Sequence, residues 1–318
     1  IPEVFNRCNV AFETGKHYPK FSKDGNVEEI FDKEIERGIK WRFPEGLDEA
    51  HQQRLEYETQ IIKSMGYVDY HLVVKDFLEY GRLLGYVPDD RIGQAPLTIS
   101  ELKAFIKENG WKNAGLTIGP GRGSAVGSLV CYLLGITNLD PLKYNLLFER
   151  FLNPERVSMP DIDSDIYSTG RGKVIEYVRN KYGYNSVCGI MTMTMQAPKG
   201  SINIAAKYYG FKKDGNPMTA LGKQIAKEVP DDPGTSFATV VNEAGSISEK
   251  GNPLYVYLTQ KYKGNKDALE ILRWAKIIEG SFTSYSAHAA GVVISDGGDV
   301  SEYLPLRMNT ELGMMTTQ

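Results

Sequence analysis

Three aspartates, Asp161, Asp163 and Asp165, take alternate positions in Met159-Pro160-Asp161-Ile162-Asp163-Ser164-Asp165-Ile166. On an extended strand, a period of two places all three on one face. Two carboxylates ~7 Å apart in surroundings of effective dielectric ~20 repel by ~2.4 kcal/mol, and a divalent cation between them removes the conflict. Magnesium suits such a pair, because it takes oxygen ligands and commonly binds through one or two carboxylates plus substrate phosphates. A calcium loop starting at Asp161 is excluded. Its sixth position requires Gly and its twelfth Glu, and these positions hold Ile166 and Gly172. The competing reading of the triplet is an acidic, solvent-facing strand edge.

A second cluster, Gly119-Pro120-Gly121-Arg122-Gly123-Ser124, leaves backbone amides accessible ahead of a helix expected to begin near Ser124. That arrangement suits a phosphate anion, with Arg122 and Ser124 adding donors. It is not a dinucleotide fingerprint, since Ser124 stands where the third glycine belongs, and no Gly-x-x-x-x-Gly-Lys sequence exists. Taken alone, the loop reads more readily as a tight turn with close helix packing through Gly127. A third feature is charge. Residues 171–215 carry Arg171, Lys173, Arg179, Lys181, Lys199, Lys207, Lys212 and Lys213 against Glu176 and Asp214, a local excess of six positive charges. This is either a nucleic-acid backbone contact or a solvated helix face.

The elements that must position these residues follow from apolar periodicity. Amphipathic surface helices are predicted at 28–39 and 47–65, and a core-packed helix at 67–84 built on Tyr70, Leu72, Val73, Val74, Phe77 and Leu78. A looser stretch over 85–96 precedes a helix over 100–109 capped by Ser100. Strands are predicted at 116–118, ending in the glycine cluster, and at 156–166, carrying the aspartates. The apolar run 125–136 falls short of the ~18 residues of a membrane span and reads as a buried helix. Further on come a helix at 174–181, a strand at 186–195, helices at 199–209 and 219–228, a loop at 230–234 and a helix at 267–278. A strand at 289–294 follows, with His288 at its entrance. Helices thus crowd into 199–280 between strand-bearing segments, which points to an inserted helical subdomain.

The chain has 318 residues, 42% of them hydrophobic, enough for at least one sizeable core in two domains or one large one. A net charge of −3 gives no global footprint for nucleic acid, so such binding must be local. Cys8, Cys131 and Cys188 lie far apart with no CxxC spacing, which argues against a zinc site or a disulfide framework and fits a reducing cytoplasm. No charged n-region and apolar stretch follow Ile1, so no signal peptide is visible and the start reads as a cut or processed end.

Read together, the glycine cluster continued through Ala125-Val126-Gly127-Ser128 and the run Phe148-Glu149-Arg150-Phe151-Leu152-Asn153-Pro154-Glu155-Arg156-Val157-Ser158-Met159-Pro160-Asp161-Ile162-Asp163 closely resemble the C-family of bacterial replicative DNA polymerases, the polymerase III alpha subunits. Ile136-Thr137-Asn138-Leu139-Asp140-Pro141-Leu142, Asp232-Pro233-Gly234 and His288-Ala289-Ala290-Gly291-Val292-Val293-Ile294 extend the likeness almost from end to end. The resemblance implies an α+β fold: a mixed-sheet palm of polymerase-beta-type nucleotidyltransferase architecture over 1–195 and 283–318, with a helical thumb inserted at 196–282. It implies template-directed DNA synthesis with two magnesium ions, Asp161 and Asp163 being the catalytic metal ligands and Asp165 a lesser acidic position. Gly123, Ser124, Lys199 and Arg122 are then nucleotide ligands, and Arg171, Lys173, Arg179, Lys181 and Lys207 face primer-template DNA.

The implied partners are dNTPs and primer-template DNA, with the sliding clamp and other replisome subunits engaging regions outside this chain; no membrane is involved. Two departures stand out. Asn203 and Ile204 replace the family's Arg-Asp after Lys199, and the family's third metal-binding aspartate falls past Gln318. Together with an insertion-like stretch at 86–111, the first suggests a divergent bacterial or phage member. The second implies an incomplete, inactive fragment, or alternatively a non-catalytic DNA- or nucleotide-binding module. A metal-dependent phosphohydrolase would need histidine clusters, and only His17, His51, His71 and His288 exist.

Overall fold

The computed structural model describes residues 18–22, 25–111, 118–155, 159–310 and 313–318. The chain divides into two units, one formed by Ile1–Ile190 with Ala290–Gln318 and the other by Met191–Ala289. The first holds α1 (Val27–Arg42), α2 (Glu49–Ser64), α3 (Val68–Leu84), α4 (Ile99–Asn109), α5 (Leu129–Leu133) and α6 (Ser168–Tyr182). The chain leaves it along β1 (Val187–Met195). The second unit contains α7 (Pro198–Asp214), α8 (Thr219–Ala226), the hairpin β2 (Val240–Val241) and β3 (Asn252–Pro253), α9 (Leu254–Lys261) and α10 (Lys266–Ile278). The return runs along β4 (Phe282–Ile294) to β5 (Leu306–Asn309) and β6 (Met314–Thr317). A four-stranded sheet has the order β4-β1-β6-β5, with β1 and β6 parallel (Gly189 opposite Thr316) and β5 and β6 antiparallel. The fold is therefore α+β with a mixed sheet.

In the first unit the core begins with amphipathic helices. Helix α1 turns Phe31, Ile35 and Gly38 inward at helical spacing. Gly38 lies against the backbone of α5, where an added Cβ would come 2.1 Å from the Leu133 carbonyl oxygen. Helix α2 starts at Asp48, whose side chain accepts from the His51 N–H, and buries Leu55, Glu58, Ile61 and Ile62. Helix α3 is the most buried, with Leu72, Val74, Leu78 and Tyr80 enclosed, and Tyr80 stacks on Tyr177 of α6 with ring centroids 4.1 Å apart. The second unit has its own core, in which Ala205, Ala206, Ile225, Leu258, Ile271 and Leu272 are buried. Gly222 permits close approach there, since a Cβ would sit 2.5 Å from that of Ala206.

Several expectations are corrected. The apolar run 125–136 is not one helix: a 3-10 turn spans Gly123–Gly127, and only Leu129–Leu133 is α-helical. Ser128 adopts an extended conformation and caps α5 by accepting from Cys131 N–H, while Gly135 at φ 72° stops the helix. The cap of α4 is Thr98 rather than Ser100. Its hydroxyl accepts from Glu101 N–H and donates to the Glu101 carboxylate. The loose stretch 85–96 contains a 3-10 helix, Asp89–Gln94.

No regular strand carries the aspartates across 159–166. Pro160 has no N–H, the Ile162 N–H donates to Tyr70 Oη, and only Ile166 makes a bridge, to Ile118. Positions 116–117 and 156–158 of the expected strands lie outside the described residues. Strand β4 begins at Phe282, so His288 sits within it rather than at its entrance. The polar run Ser284-Tyr285-Ser286 masked its first half. Helix α9, the small hairpin, β5 and β6 were not anticipated.

Candidate nucleotide and metal site

The carboxylate segment keeps its alternation without a ladder. Asp161, Asp163 and Asp165 are exposed, while Ile162 and Ile166 pack against the core of the first unit. Alternating isoleucines fix which way the acids point. Tyr70 of α3 lies beneath this segment. Burial pushes its hydroxyl up to about 12; the bond from Ile162 N–H opposes this, while Cys131, Asp161 and Asp163 add to it. The phenol therefore stays protonated below the two acids.

The glycine loop runs directly alongside. Gly119 N–H donates to the Asp165 carbonyl at 2.8 Å, and a Cβ on Gly119 would lie 3.0 Å from that of Asp165. Arg122 reaches over to pair with the Asp165 carboxylate at 3.1 Å, with both side chains largely exposed. The structure thus brings together two motifs separated by some forty positions, and it gives Asp165 a partner. Among the described residues, no hydrogen bond or ion pair engages Asp161 or Asp163. Gly123, at φ 62°, has nothing within 4 Å of where a Cβ would be, so its backbone faces open space. A cleft of about 520 Å³ adjoins it, lined by Gly123, Ser124, Gly127, Asn145, Leu146 and Arg150 among others.

One sequence-level premise changes. The amides at the start of α5 are not offered to a ligand, because the fully buried carboxylate of Glu58 accepts from Leu129 and Val130 N–H, each at 3.0 Å, and from Ser128 Oγ at 2.7 Å. Arg54 Nε adds a fourth donor at 2.7 Å. Burial pushes the Glu58 pKa up, and the four donors, all directed at the carboxylate, pull it back. Any phosphate at this site therefore meets the loop amides, not the helix end. Neither Arg54 nor Glu58 was singled out from sequence, and Tyr70 was read only as a core residue of its helix. A signal for Glu58 existed, since it falls in the buried stripe His51, Leu55, Glu58, Ile62 of an otherwise amphipathic helix.

The remaining candidates are distributed. Arg171, Lys173, Arg179 and Lys181 lie on α6. Lys173 pairs with Glu176 at 3.0 Å and donates to the Gly93 carbonyl, and Lys181 pairs with Asp76 at 2.8 Å. Arg179 stands over the Tyr184 ring, and Arg171 is exposed. Lys199 and Lys207 belong to the second unit, on α7; Lys199 pairs with Asp231 and Lys207 is exposed. Asn203 Nδ2 donates to the Lys199 carbonyl, and Ile204 is exposed.

Asp161 and Asp163 suit magnesium by donor type and exposure, as a pair that leaves room for phosphate oxygens and water. Among the described residues, no three His, Cys, Asp or Glu side chains converge where they could hold a metal ion. Cys131 and Cys188 are free and buried, and Cys8 lies outside the described residues. No helix among them is long and apolar enough to cross a membrane.

Comparison with known proteins places this geometry in a family. Residues 29–94 and 98–318 match the bacterial DNA polymerase III alpha NTPase domain. The DNA polymerase III subunit alpha of Halalkalibacterium halodurans is 36% identical over 297 residues, covering 92% of this chain and 22% of that protein. The subunit of Pseudomonas fluorescens is 35% identical over 307 residues, with 92% and 22% covered. That of Bacillus subtilis is 34% identical over 319 residues, with 99% and 24% covered. The chain thus spans less than a quarter of the length of these curated relatives. On the family match and these identities, the chain belongs to the bacterial DNA polymerase III alpha family.

Proposed function

We propose that this chain supplies the phosphate-binding loop and two metal-binding carboxylates of a template-directed DNA polymerase, which joins dNTPs to a primer 3′-hydroxyl. The observation that carries this reading is the direct coupling of the two motifs, Gly119 N–H to the Asp165 carbonyl, within a polymerase III alpha family chain. Two magnesium ions, when bound, supply charge neutralisation to the attacking hydroxyl and the leaving pyrophosphate. Asp161 and Asp163 hold them. Gly123 and Ser124 receive the triphosphate, and Arg122 joins them by exchanging its solvent-exposed link to Asp165 for a phosphate, at small cost.

The basic face of α6 meets the primer-template backbone without reading sequence. Arg171 carries most of that contact, with Arg179, because Lys173 and Lys181 are drawn into internal ion pairs. In this reading the first unit belongs to a palm of polymerase-beta type and the helical unit to a thumb. The longer protein works in the cytoplasm with a sliding clamp and other replisome subunits.

The test is Asp161→Asn in a full-length alpha subunit carrying this segment. Primer extension should be abolished with primer-template binding retained, and normal extension would refute the assignment. A second reading holds for the isolated chain. By itself the chain acts as a DNA- or nucleotide-binding module without chemistry. Primer extension by the 318-residue chain itself would overturn that.

A further inference from the structure

We infer that Arg54 and Glu58 of α2 are positioning residues for the incoming nucleotide: together they set the rear wall of the cleft beside Gly123 and Ser124. This rests on the nucleotidyl-transfer reading above.

Arg54 donates through Nε to Glu58 Oε1, and through Nη2 to two backbone carbonyls, Gly127 at 2.8 Å and Leu146 at 3.0 Å. Those carbonyls belong to two of the segments that line the cleft, the glycine-loop turn and the 145–150 turn. The segments also touch directly, for a Cβ on Gly127 would lie 2.7 Å from the Leu147 carbonyl oxygen. Glu58 completes the device from inside, since its carboxylate fills the start of α5 and holds Ser128, Leu129 and Val130 immediately after the loop. One side chain thus spans both walls, and a second anchors the segment leading out. Neither touches the open face at Gly123. The pair acts on the nucleotide through the loop's position, so a shifted loop holds the phosphates less tightly in ground state and transition state alike, which raises KM and leaves kcat unchanged.

The two side chains also explain why the spacing is built from charged groups. A carboxylate in the core gathers four donors with no competing acceptor. A guanidinium offers a planar fork that reaches two carbonyls while still holding its partner. Lysine in place of Arg54 keeps the charge near Glu58 but loses the fork.

The experiment uses a full-length alpha subunit carrying this segment, with Glu58→Gln and Arg54→Lys assayed after active-site titration. Expected is a rise of about tenfold in dNTP KM for both variants, with kcat per active site and primer-template Kd within about twofold of the parent. If active fraction and Tm fall while KM stays unchanged, the residues are structural only and the inference is overturned. Should Glu58→Gln fail to fold, Arg54→Lys alone decides, because its side chain is partly solvent-exposed and its charge is kept. Asp161→Asn in the same assay separates the two levels. Extension by that variant sinks the nucleotidyl-transfer reading, whereas loss of extension there with unchanged KM in the α2 variants sinks only this one.

Discussion

Arg42, in the last turn of α1, braces the front of the glycine loop. Its Nη2 donates to the Thr137 carbonyl at 3.2 Å and to Asn138 Oδ1 at 2.7 Å, and Asn138 N–H in turn donates to the Pro120 carbonyl at 2.7 Å. The guanidinium stands 3.6 Å from the Trp41 ring centroid and 4.4 Å from that of Tyr132. Arg42→Ala is expected to cost about 2 kcal/mol of stability, read by urea unfolding, since it removes both the charged hydrogen bonds and the ring contacts. His71 makes a different prediction. Its Nδ1 bonds the Tyr67 carbonyl, Nε2 has no hydrogen-bond partner among the described residues, and the rings of Phe31, Tyr70 and Phe151 surround it. Burial lowers its pKa from 6.5 to about 4. The unfolded chain therefore takes up a proton on acidification before the folded one does, so this contribution is intact above pH 6.5 and is lost as pH falls towards 4. The loss should amount to roughly 3 kcal/mol, and His71→Phe should flatten that slope in unfolding curves measured across the window. The carboxylates and the loop glycines were legible in the sequence because their chemistry is local. Arg42 and Arg54 were not, because the carbonyls they brace lie dozens of residues away, and the one local sign of Glu58 is its place in the buried stripe of α2.

Elements differ in how openly the chain declares them. Helices α1, α2 and α3 are long enough for apolar periodicity to average over several turns, and their predicted spans hold to within a few residues. Strands β5 and β6, of four residues each, offer no such averaging, and their existence depends on pairing with each other and with β1. The aspartate segment fails as a strand for a related reason. Its side-chain alternation is encoded locally, but a ladder needs a neighbour, and Tyr70 takes the Ile162 N–H instead. At this scale the sharpest test is Gly38→Ala. A methyl group 2.1 Å from the Leu133 carbonyl oxygen must push α1 off α5, at a cost of about 3 kcal/mol, visible as a lowered urea midpoint. An unchanged midpoint would mean that α1 and α5 do not meet through that glycine.

Across the whole molecule, two separate apolar cores stand behind the two units, and the tryptophans report on them individually. Trp41 and Trp111 lie in the first, and Trp274 lies in the second. Acidification from pH 6.5 to 4 should lower the unfolding midpoint seen by Trp111 in a variant lacking the other two indoles, because His71 is buried in that unit alone. A midpoint independent of pH would refute the His71 assignment. The helix-rich stretch shows in the sequence as a change in periodicity, and a return at 283–318 came only from the resemblance, whereas the strand order was not legible, since no local signal says which strand lies beside which. That sheet has a consequence in time. Strand β6, which lies between β1 and β5, is formed by Met314–Thr317, so Gly189 must wait for Thr316 to be made before it has its neighbour. On a ribosome the whole helical unit emerges in that interval and has the opportunity to fold first. Until then one edge of β1 stays bare, with its backbone groups open to pairing with another strand.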